Sequence, residues 1–238
     1  MTIRLNEVIP WGRSFEEYRR MFALSDADLA GRILGCGDGP ASFNAEATAL
    51  GLAVVSCDPI YACPPAEIER RVEGAYDRII ALVRRNLDGF VWDHFHGPDH
   101  LGQCRLAAMR RFLADFEAGK AEGRYVTASL PRLPFEDRQF DLALVSHLLF
   151  LYSGQLDFEF HRAAVEELLR VAREVRIFPL LTLDRKPSPH VGPICTHVAG
   201  RGWRAEVCGV PYEFQRSGDE MLRIVRDDHP PRFAASTE

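Results

Sequence analysis

The sequence predicts an α/β fold with a mostly parallel sheet. Strand-like apolar runs alternate with helical patterns along most of the 238 residues, and such alternation requires right-handed crossovers with helices on both faces of the sheet. A glycine-rich loop at residues 35–39 follows the first strand, and an acidic residue, Asp58, ends the second. Ligands of such sheets bind at the carboxyl ends of the strands, so these two features mark the expected site.

Composition and charge limit the class of protein. The chain is 47% hydrophobic and 26% charged, and its length suits one large domain over residues 1–238. The net charge of −5 gives no electrostatic reason to expect nucleic acid as a partner. No apolar run is long enough to span a bilayer, and the first ten residues include Arg4 and Glu7. We therefore expect a cytoplasmic protein that binds neither nucleic acid nor membranes; its oligomeric state is left open.

An N-terminal helical segment is expected over residues 1–30. Ser14 begins a helix at residues 14–24, and Glu17 three positions later completes a capping box. The apolar side chains of this helix recur at helical spacing, which predicts one buried face made of Phe15, Tyr18, Met21 and Phe22.

The next elements frame the glycine loop. Residues 32–34 form a short strand that leads into the loop, and Pro40 fits the first turn of a helix at residues 40–50, where its missing N–H costs nothing. Residues 52–56 are an apolar run typical of a strand buried on both faces, and this strand ends at Asp58.

Residues 64–123 form a long insertion before the third strand. Two helical patterns, at residues 66–87 and 101–116, are joined by residues 90–100, which are rich in aromatic and histidine side chains. The length of this insertion and its aromatic joint predict a helical cap that covers the site and supplies much of the contact with substrate.

After the insertion, strands and helices alternate again. The predicted elements are strands at residues 124–128 and 140–146, a helix at 158–173, a strand at 174–181, a helix at 191–201, and strands at 204–213 and 220–225. The last two strands are close enough to pair as a hairpin around Ser217 and Gly218, which puts one antiparallel strand at or near an edge of the sheet. The polar tail at residues 227–238 is expected to fray.

The glycine loop and Asp58 together indicate a ligand that contains adenosine. Gly35, Gly37 and Gly39 stand at alternate positions, so the backbone can turn tightly and approach a flat ligand without clashes from Cβ atoms. A carboxylate at the end of the second strand is placed to accept hydrogen bonds from both hydroxyls of a ribose.

Two other nucleotide-binding patterns fit less well. The dinucleotide fingerprint requires a third glycine three positions after the second, where this chain has Pro40, and proline removes a backbone donor that a pyrophosphate would use. No GxxxxGK[ST] sequence is present, which excludes a P-loop. The spacing of the glycines favours a cofactor without phosphates, and a dehydrogenase is the weaker alternative.

These motifs resemble those of class I S-adenosylmethionine-dependent methyltransferases. Residues 33–39 (ILGCGDG) resemble the first motif of that class, and Asp58 resembles its ribose-binding acid. Residues 133–146 resemble the approach to its fourth strand, and residues 167–175 resemble the following helix and its exit. The resemblance covers residues 31–225, and residues 11–18 and 146–152 resemble an uncharacterised bacterial branch of the class.

The resemblance implies a Rossmann-like fold with a seven-stranded sheet, and S-adenosylmethionine as the cofactor. The cofactor-binding residues that it implies are Gly35, Gly37, Asp38, Gly39, Asp58, Pro59, Ser129, Leu130 and Ser146. Two positions depart from the family pattern: Ile33 replaces an acid before the first glycine, and Ala128 and Ser129 stand where an acid often faces the adenine. Asp38 and the N-terminal segment are candidates for the missing contacts.

His147 is the candidate catalytic residue. It follows the strand at residues 140–146, so it lies at the same rim as the glycine loop, where a neutral imidazole can take a proton from a hydroxyl. A structural, hydrogen-bonded histidine is the alternative. Amide and adenine N-methyltransferases commonly carry Asn/Asp-Pro-Pro-Tyr or Phe where this chain has Ser146-His-Leu-Leu. We therefore predict methyl transfer to a small or medium-sized acceptor, possibly through a hydroxyl.

Two further alternatives stay open. The stretch that contains His94, His96 and His100 resembles the HxHxDH ligands of zinc hydrolases but has one extra residue, and capping or packing explains it as well. We predict no metal and leave the role of the stretch undecided. Because Ile33 and Ala128 replace expected acids, a non-catalytic protein that binds an adenosyl ligand, or a scaffold on the same fold, is the alternative to an enzyme.

Overall fold

The computed structural model describes residues 11–227 and contains a seven-stranded sheet. The strands are β1 (Ile33–Cys36), β2 (Val54–Cys57), β3 (Tyr125–Val126), β4 (Phe140–Ser146), β5 (Ala172–Phe178), β6 (Trp203–Gly209) and β7 (Glu220–Arg226). Their order in the sheet is β3-β2-β1-β4-β5-β7-β6, and β7 alone of these strands runs antiparallel to its neighbours. The prediction of a mostly parallel, Rossmann-like sheet with a closing antiparallel hairpin is confirmed. The predicted frayed tail falls on residues 228–238, which lie outside the described part of the chain.

Helices cover both faces of this sheet. They are α1 (Phe15–Met21), α2 (Asp26–Leu29), α3 (Phe43–Ala49), α4 (Pro65–Arg84), α5 (Pro98–Ala121), α6 (Phe158–Val171) and α7 (Val191–Ala199). Side chains that alternate along the central strands enter two separate cores. Leu34 of β1 and Val145 of β4 pack on one face, whereas Ile33 and Leu144 pack on the other. This double burial explains why the inner strands are continuous apolar runs.

The register of the inner strands places three strand ends at one level. Cys36, the last residue of β1, pairs with Cys57 of β2 on one side and with Val145 of β4 on the other. Val126 of β3 is level with Cys57 as well. The loops that follow these strands therefore leave the sheet at the same edge.

The N-terminal segment lies against the glycine loop and changes the start of α3. The capping box of Ser14 and Glu17 forms as predicted. The prediction that Pro40 lies in the first turn of α3 is wrong, because α3 begins at Phe43. A Cβ atom on Gly12 would collide with the carbonyl oxygen of Pro40, and the Ser42 N–H donates to the carbonyl of Arg13 at 3.0 Å. Residues 40–42 thus hold the N-terminal segment rather than extending the helix.

The insertion consists of α4 and α5, which pack against each other. Phe112 and Phe116 of α5 pack against Tyr61, in the 3₁₀ turn after β2, and against Tyr125, the first residue of β3. Arg105 of α5 forms a fully buried ion pair with Glu17 of α1. The two helices are therefore joined both to the sheet and to the N-terminal segment.

Several predicted element ends are shifted, among them those of α5, which covers Pro98–Ala121 rather than residues 101–116, and of β6, which ends at Gly209 rather than at residue 213. The third strand covers only Tyr125–Val126 rather than residues 124–128, because it lies at the sheet edge and pairs only with Ser56 and Cys57. Helix α6 ends at Val171 and β5 begins at the next residue. Within residues 11–227, no helix is long and apolar enough to cross a membrane.

Candidate active site

A cavity of about 890 Å³ lies at the sheet edge where β1, β2 and β4 end. Its wall contains all but one of the residues that the sequence predicts for cofactor binding, together with His147. The predicted residues in the wall are Gly37, Asp38, Gly39, Asp58, Pro59, Ser129, Leu130, Ser146 and His147. Side chains of α1, α4 and the loop after β6 complete the wall, including Tyr18, Ile79 and Phe214.

The glycine loop has the backbone geometry that its sequence requires. Gly37 and Gly39 have φ values of +71° and +53°, in the left-handed region where a side chain is strained. A Cβ atom on Gly37 would lie 2.6 Å from Leu148 Cδ2, whereas one on Gly39 would meet nothing closer than Asp58 Oδ2 at 4.0 Å. The space above Gly39 is therefore open to a ligand.

Gly35 does not line the cavity, and its contact with the cofactor stays a prediction. It lies inside β1, and a Cβ atom there would collide with the carboxylate of Asp38. The missing side chain of Gly35 therefore makes room for a neighbouring acid.

Asp38 is a buried acid held by two hydroxyl groups. Tyr18 Oη donates to Oδ1 at 2.7 Å, and Ser56 Oγ donates to Oδ2 at 2.6 Å. Burial raises the pKa of Asp38 to about 7, while the hydrogen bonds of Ser56 and Tyr18 oppose the rise and the charge of Asp58 adds to it. Asp38, which belongs to the glycine loop itself, is thus partly protonated near neutral pH.

Asp58 faces the glycine loop from the end of β2. Its Oδ2 accepts from the Gly39 N–H at 2.9 Å and its Oδ1 accepts from the Ile60 N–H at 2.8 Å. Burial raises the pKa of the carboxyl group, and these backbone hydrogen bonds partly offset the rise. Each carboxylate oxygen has two lone pairs, so both can accept one further hydrogen bond from a ligand. Pro59 begins the single turn of 3₁₀ helix that follows.

The positions that depart from the family pattern differ in where they lie. Ile33 is fully buried in the core beneath the sheet and does not line the cavity. Ala128, Ser129 and Leu130 do line it, after the end of β3. An acid in place of Ile33 would thus be directed into the core of this chain, which explains why an apolar residue stands there.

His147 has an unusual backbone and a half-buried side chain. Its φ of +54° is in the left-handed region, which is uncommon for a residue other than glycine. The Ser146 Oγ and the His147 Nδ1 lie 2.9 Å apart, and the His147 ring packs edge-on against Phe178. Burial lowers the pKa of His147 well below its ordinary value, and the charges of Arg13 and Arg105 lower it further. The imidazole is therefore neutral at physiological pH.

The cavity also contains residues that the sequence did not mark as functional. Tyr18 was expected only in a buried helix face, yet its hydroxyl reaches Asp38. Arg13 lines the cavity beside the glycine loop. No local pattern distinguishes Arg13, because its place depends on the contact of residues 12–13 with residues 40–42.

The histidines of the stretch at residues 90–100 contact neighbouring side chains of the protein. His94 Nδ1 lies 2.9 Å from Nη1 of Arg20. His96 stacks on His100, and His100 Nε2 lies 3.4 Å from Cys104 Sγ. No group of three or more histidine, cysteine or acidic side chains within residues 11–227 is placed to hold a metal ion.

The strand order and the single antiparallel strand define a class I methyltransferase fold. No known protein-family model matches the chain. The chain is 32% identical over 225 residues to uncharacterised protein MJ0045 of Methanocaldococcus jannaschii, and this match covers 94% of the chain and 99% of the relative. The chain belongs to the same family as this archaeal protein. The expectation of a bacterial branch is not supported, because the relative is archaeal.

Solved structures of methyltransferases superpose over most of the chain. Magnesium protoporphyrin IX methyltransferase of Synechocystis, with bound S-adenosylmethionine, aligns with a TM-score of 0.47 and 12% identity over 90% of this chain and 79% of its own. A methyltransferase of Methanococcus maripaludis aligns with a TM-score of 0.45 and 12% identity over 91% of this chain and 84% of its own. The assignment of the fold rests on the strand order and orientation given above.

Proposed function

We propose that this protein is a methyltransferase that uses S-adenosylmethionine and acts on a small or medium-sized acceptor, through a hydroxyl group. The observation that carries the proposal is the pairing of an open glycine loop with the carboxylate of Asp58 across one cavity. The loop accepts a flat ligand and the carboxylate accepts hydrogen bonds, which together fit the adenosine part of the cofactor. When bound, S-adenosylmethionine supplies an electrophilic methyl group on its sulfonium centre.

Different residues of this chain bind the cofactor and accept the proton of the acceptor. Asp58 holds the ribose hydroxyls with the lone pairs that the backbone leaves free. The backbone of Gly37 and Gly39 would hold the amino-acid part of the cofactor, and Ser129 and Leu130, which line the same cavity, would contact its adenine. Methyl transfer from a sulfonium is an in-line displacement, so orientation and exclusion of water supply most of the acceleration. Helix α4 serves as a cap that limits access of water.

His147 is the residue that accepts the proton of the acceptor hydroxyl. Its neutral imidazole is available at physiological pH because burial and the nearby arginines oppose protonation. Ser146 Oγ, at 2.9 Å from Nδ1, fixes the ring when Nδ1–H donates to it, and Nε2 then becomes the accepting atom. Ser146 is therefore a positioning residue for His147.

The substitution Asp58→Asn is expected to weaken binding of S-adenosylhomocysteine by about 1.5–3 kcal/mol, the contribution of a charged hydrogen bond. The change keeps the size of the side chain and removes its charge. Isothermal titration calorimetry measures the effect, with Asp137→Asn as a matched control, because Asp137 forms an exposed pair with Arg170 away from the cavity. Equal affinity of the Asp58→Asn variant and the wild type would show that Asp58 does not contact the ribose.

The substitution His147→Asn is expected to lower turnover by about 10²–10⁴-fold, the usual contribution of a general base. Asparagine tolerates the left-handed backbone at this position, where φ is +54°, so the fold is preserved. Formation of S-adenosylhomocysteine with a panel of phenolic acceptors reports turnover, and calorimetry should show nearly unchanged cofactor affinity. Because the pKa of His147 is lowered, the acid limb of kcat in the wild type should lie below pH 6.5. Full turnover in folded His147→Asn protein would assign the histidine a structural role.

A protein that binds the adenosyl ligand without turnover is the second candidate. It is favoured by Ala128, which lines the cavity where many relatives of the fold carry an acid. The same two measurements separate the candidates: an enzyme forms S-adenosylhomocysteine from S-adenosylmethionine with an acceptor, whereas a silent binder gives a calorimetric signal alone.

A further inference from the structure

The cavity wall combines polar and apolar groups. The glycine loop, Asp38 and Asp58 line it together with apolar side chains, several of which form one cluster from the insertion and the loop after β6. The apolar wall consists of Ile79, Leu82, Val83, Phe90, Leu101 and Phe214. At about 890 Å³ the cavity is near the upper end of the usual range of about 300–1,000 Å³ for ligand sites. There is room for a mainly apolar acceptor beside the cofactor.

Arg13 is a cation in the cavity wall that has no acidic partner among residues 11–227. Its Nη1 donates to the carbonyl of Trp11 at 3.1 Å. Its Nε is buried and makes no hydrogen bond within residues 11–227, and no carboxylate of the same residues forms an ion pair with it. A buried guanidinium N–H without an acceptor is costly, because it has lost water and gained nothing in return. Nε has no exposed surface, so a ligand would pair with the guanidinium from the side that lines the cavity, where an anionic oxygen can offset the unbalanced positive charge.

Glu17, whose charge acts on Arg13, and Asp38, which lines the same cavity, already have their donors. Glu17 accepts from Arg105, from the Tyr212 hydroxyl at 2.8 Å and from the Ser14 N–H at 3.1 Å. Burial disfavours the charge of Glu17, but Arg105 and Arg13 outweigh it and lower its pKa to about 2. Asp38 accepts from Tyr18 and Ser56 and is partly protonated near neutral pH. The charges of Arg13 and Arg105 thus act on one ionised acid, so this cluster has one positive charge more than it has carboxylates.

The other arginines of the wall are placed differently. Arg71 is exposed and paired with Glu67 at 2.8 Å, and Arg78 is exposed on the same helix. Solvent hydrates both guanidinium groups, and Glu67 pairs with Arg71. Neither side chain therefore needs an anion from the ligand to balance its charge. Arg13 is therefore the cation of this wall that a bound anion would pair with.

We infer that the acceptor of the proposed methyl transfer is a mainly apolar molecule with a carboxylate, and that Arg13 binds this carboxylate while α4 and Phe90 contact the apolar body. The inference rests on the proposed function, because it concerns the second ligand of the same cavity. The methionyl part of the cofactor also carries a carboxylate that could pair with Arg13. The experiment therefore distinguishes a carboxylate of the acceptor from the carboxylate of the cofactor.

The test uses the full chain saturated with S-adenosylhomocysteine and two probes of equal shape, 2-naphthoate and its neutral amide, 2-naphthamide. The complex should bind 2-naphthoate more tightly than 2-naphthamide by about tenfold or more, as expected for a charge-assisted hydrogen bond. Arg13→Gln should remove this preference and leave 2-naphthamide binding unchanged. Arg78→Gln is the matched control, since Arg78 lines the same cavity but is solvated, and it should keep the preference.

A second arm identifies the source of the anion. Affinity for S-adenosylhomocysteine is compared with affinity for 5′-methylthioadenosine, which lacks the amino-acid part, in the wild type and in Arg13→Gln. Equal affinities of the two proteins for both ligands support the inference. A loss confined to S-adenosylhomocysteine assigns Arg13 to the cofactor and overturns the inference, as does equal or absent binding of the two naphthyl probes. A wild type that binds neither adenosyl ligand overturns the proposed function itself.

Discussion

Replacing Gly37 by alanine or valine is expected to abolish binding of S-adenosylhomocysteine, with a loss of about 100-fold or more, equivalent to about 2.7 kcal/mol. Gly37 has φ +71°, a conformation that costs a side chain roughly 1–3 kcal/mol and costs a β-branched residue most. A new Cβ atom would also lie 2.6 Å from Leu148 Cδ2. If Leu148 moves aside, the added methyl group still occupies the cavity wall. Calorimetry measures the loss, and circular dichroism checks the fold.

A matched control separates backbone strain from obstruction of the cavity. Gly51 has φ +77°, and a Cβ atom there would meet nothing within 4 Å. It lies just beyond α3 and outside the cavity wall. Gly51→Ala therefore introduces similar strain without entering the site, and its affinity for S-adenosylhomocysteine should equal that of the wild type. If the Gly37→Ala variant binds S-adenosylhomocysteine as tightly as the Gly51→Ala variant does, the glycine loop does not contact the cofactor.

The substitution Arg105→Met is expected to lower the free energy of unfolding by about 3–5 kcal/mol, the cost of leaving one member of a buried ion pair alone. Arg105 and Glu17 have side-chain exposures of only 1% and 3%. Methionine fills most of the same volume but cannot donate to the Glu17 carboxylate. Urea denaturation at pH 7 measures the change. A loss below about 1 kcal/mol, the usual value for a surface pair, would contradict the role of this ion pair in holding α5.

Two variants test whether the loss comes from the charge of Glu17. Arg111 lies on the same helix, 63% exposed and paired with Glu46 at 3.1 Å, so Arg111→Met should cost no more than about 1 kcal/mol. The double variant Glu17→Gln, Arg105→Met removes both charges and should recover much of the lost stability.

The same ion pair makes a pH-dependent contribution to stability. The pKa of Glu17 is lowered from 4.5 to about 2 in the folded protein, because Arg105 and Arg13 outweigh the effect of burial. Stability from this group is therefore complete above pH 4.5 and is lost as the pH falls through about 2. In Arg105→Met the acid-dependent loss should be smaller over that range.

The sheet could be predicted because its signals are local. The inner strands are buried on both faces, so β1, β2 and β4 appear in the sequence as short apolar runs. The turn residues after β1 and β2 are equally local, which is why the order of residues along the chain was enough to place Gly37, Gly39 and Asp58 at one rim.

The rest of the site depends on contacts between distant parts of the chain. Glu17 and Arg105 are 88 positions apart. The sequence around each of them contains no pattern that predicts a buried ion pair between the two. Arg13 faces the cavity only because the N-terminal segment crosses the loop after β1, and that crossing also delays the start of α3. Gly35 was assigned to the ligand because its spacing matches the motif, although its missing Cβ makes room for Asp38.

Titration of the purified full chain with S-adenosylhomocysteine and, separately, with NAD in a calorimeter tests the central claim most directly. Asp58 and the glycine loop are arranged for an adenosyl ligand without phosphates, so we predict saturable binding of S-adenosylhomocysteine that Gly37→Ala removes and Gly51→Ala keeps. Binding of NAD with no response to S-adenosylhomocysteine would contradict the assignment of the cavity to an adenosyl cofactor.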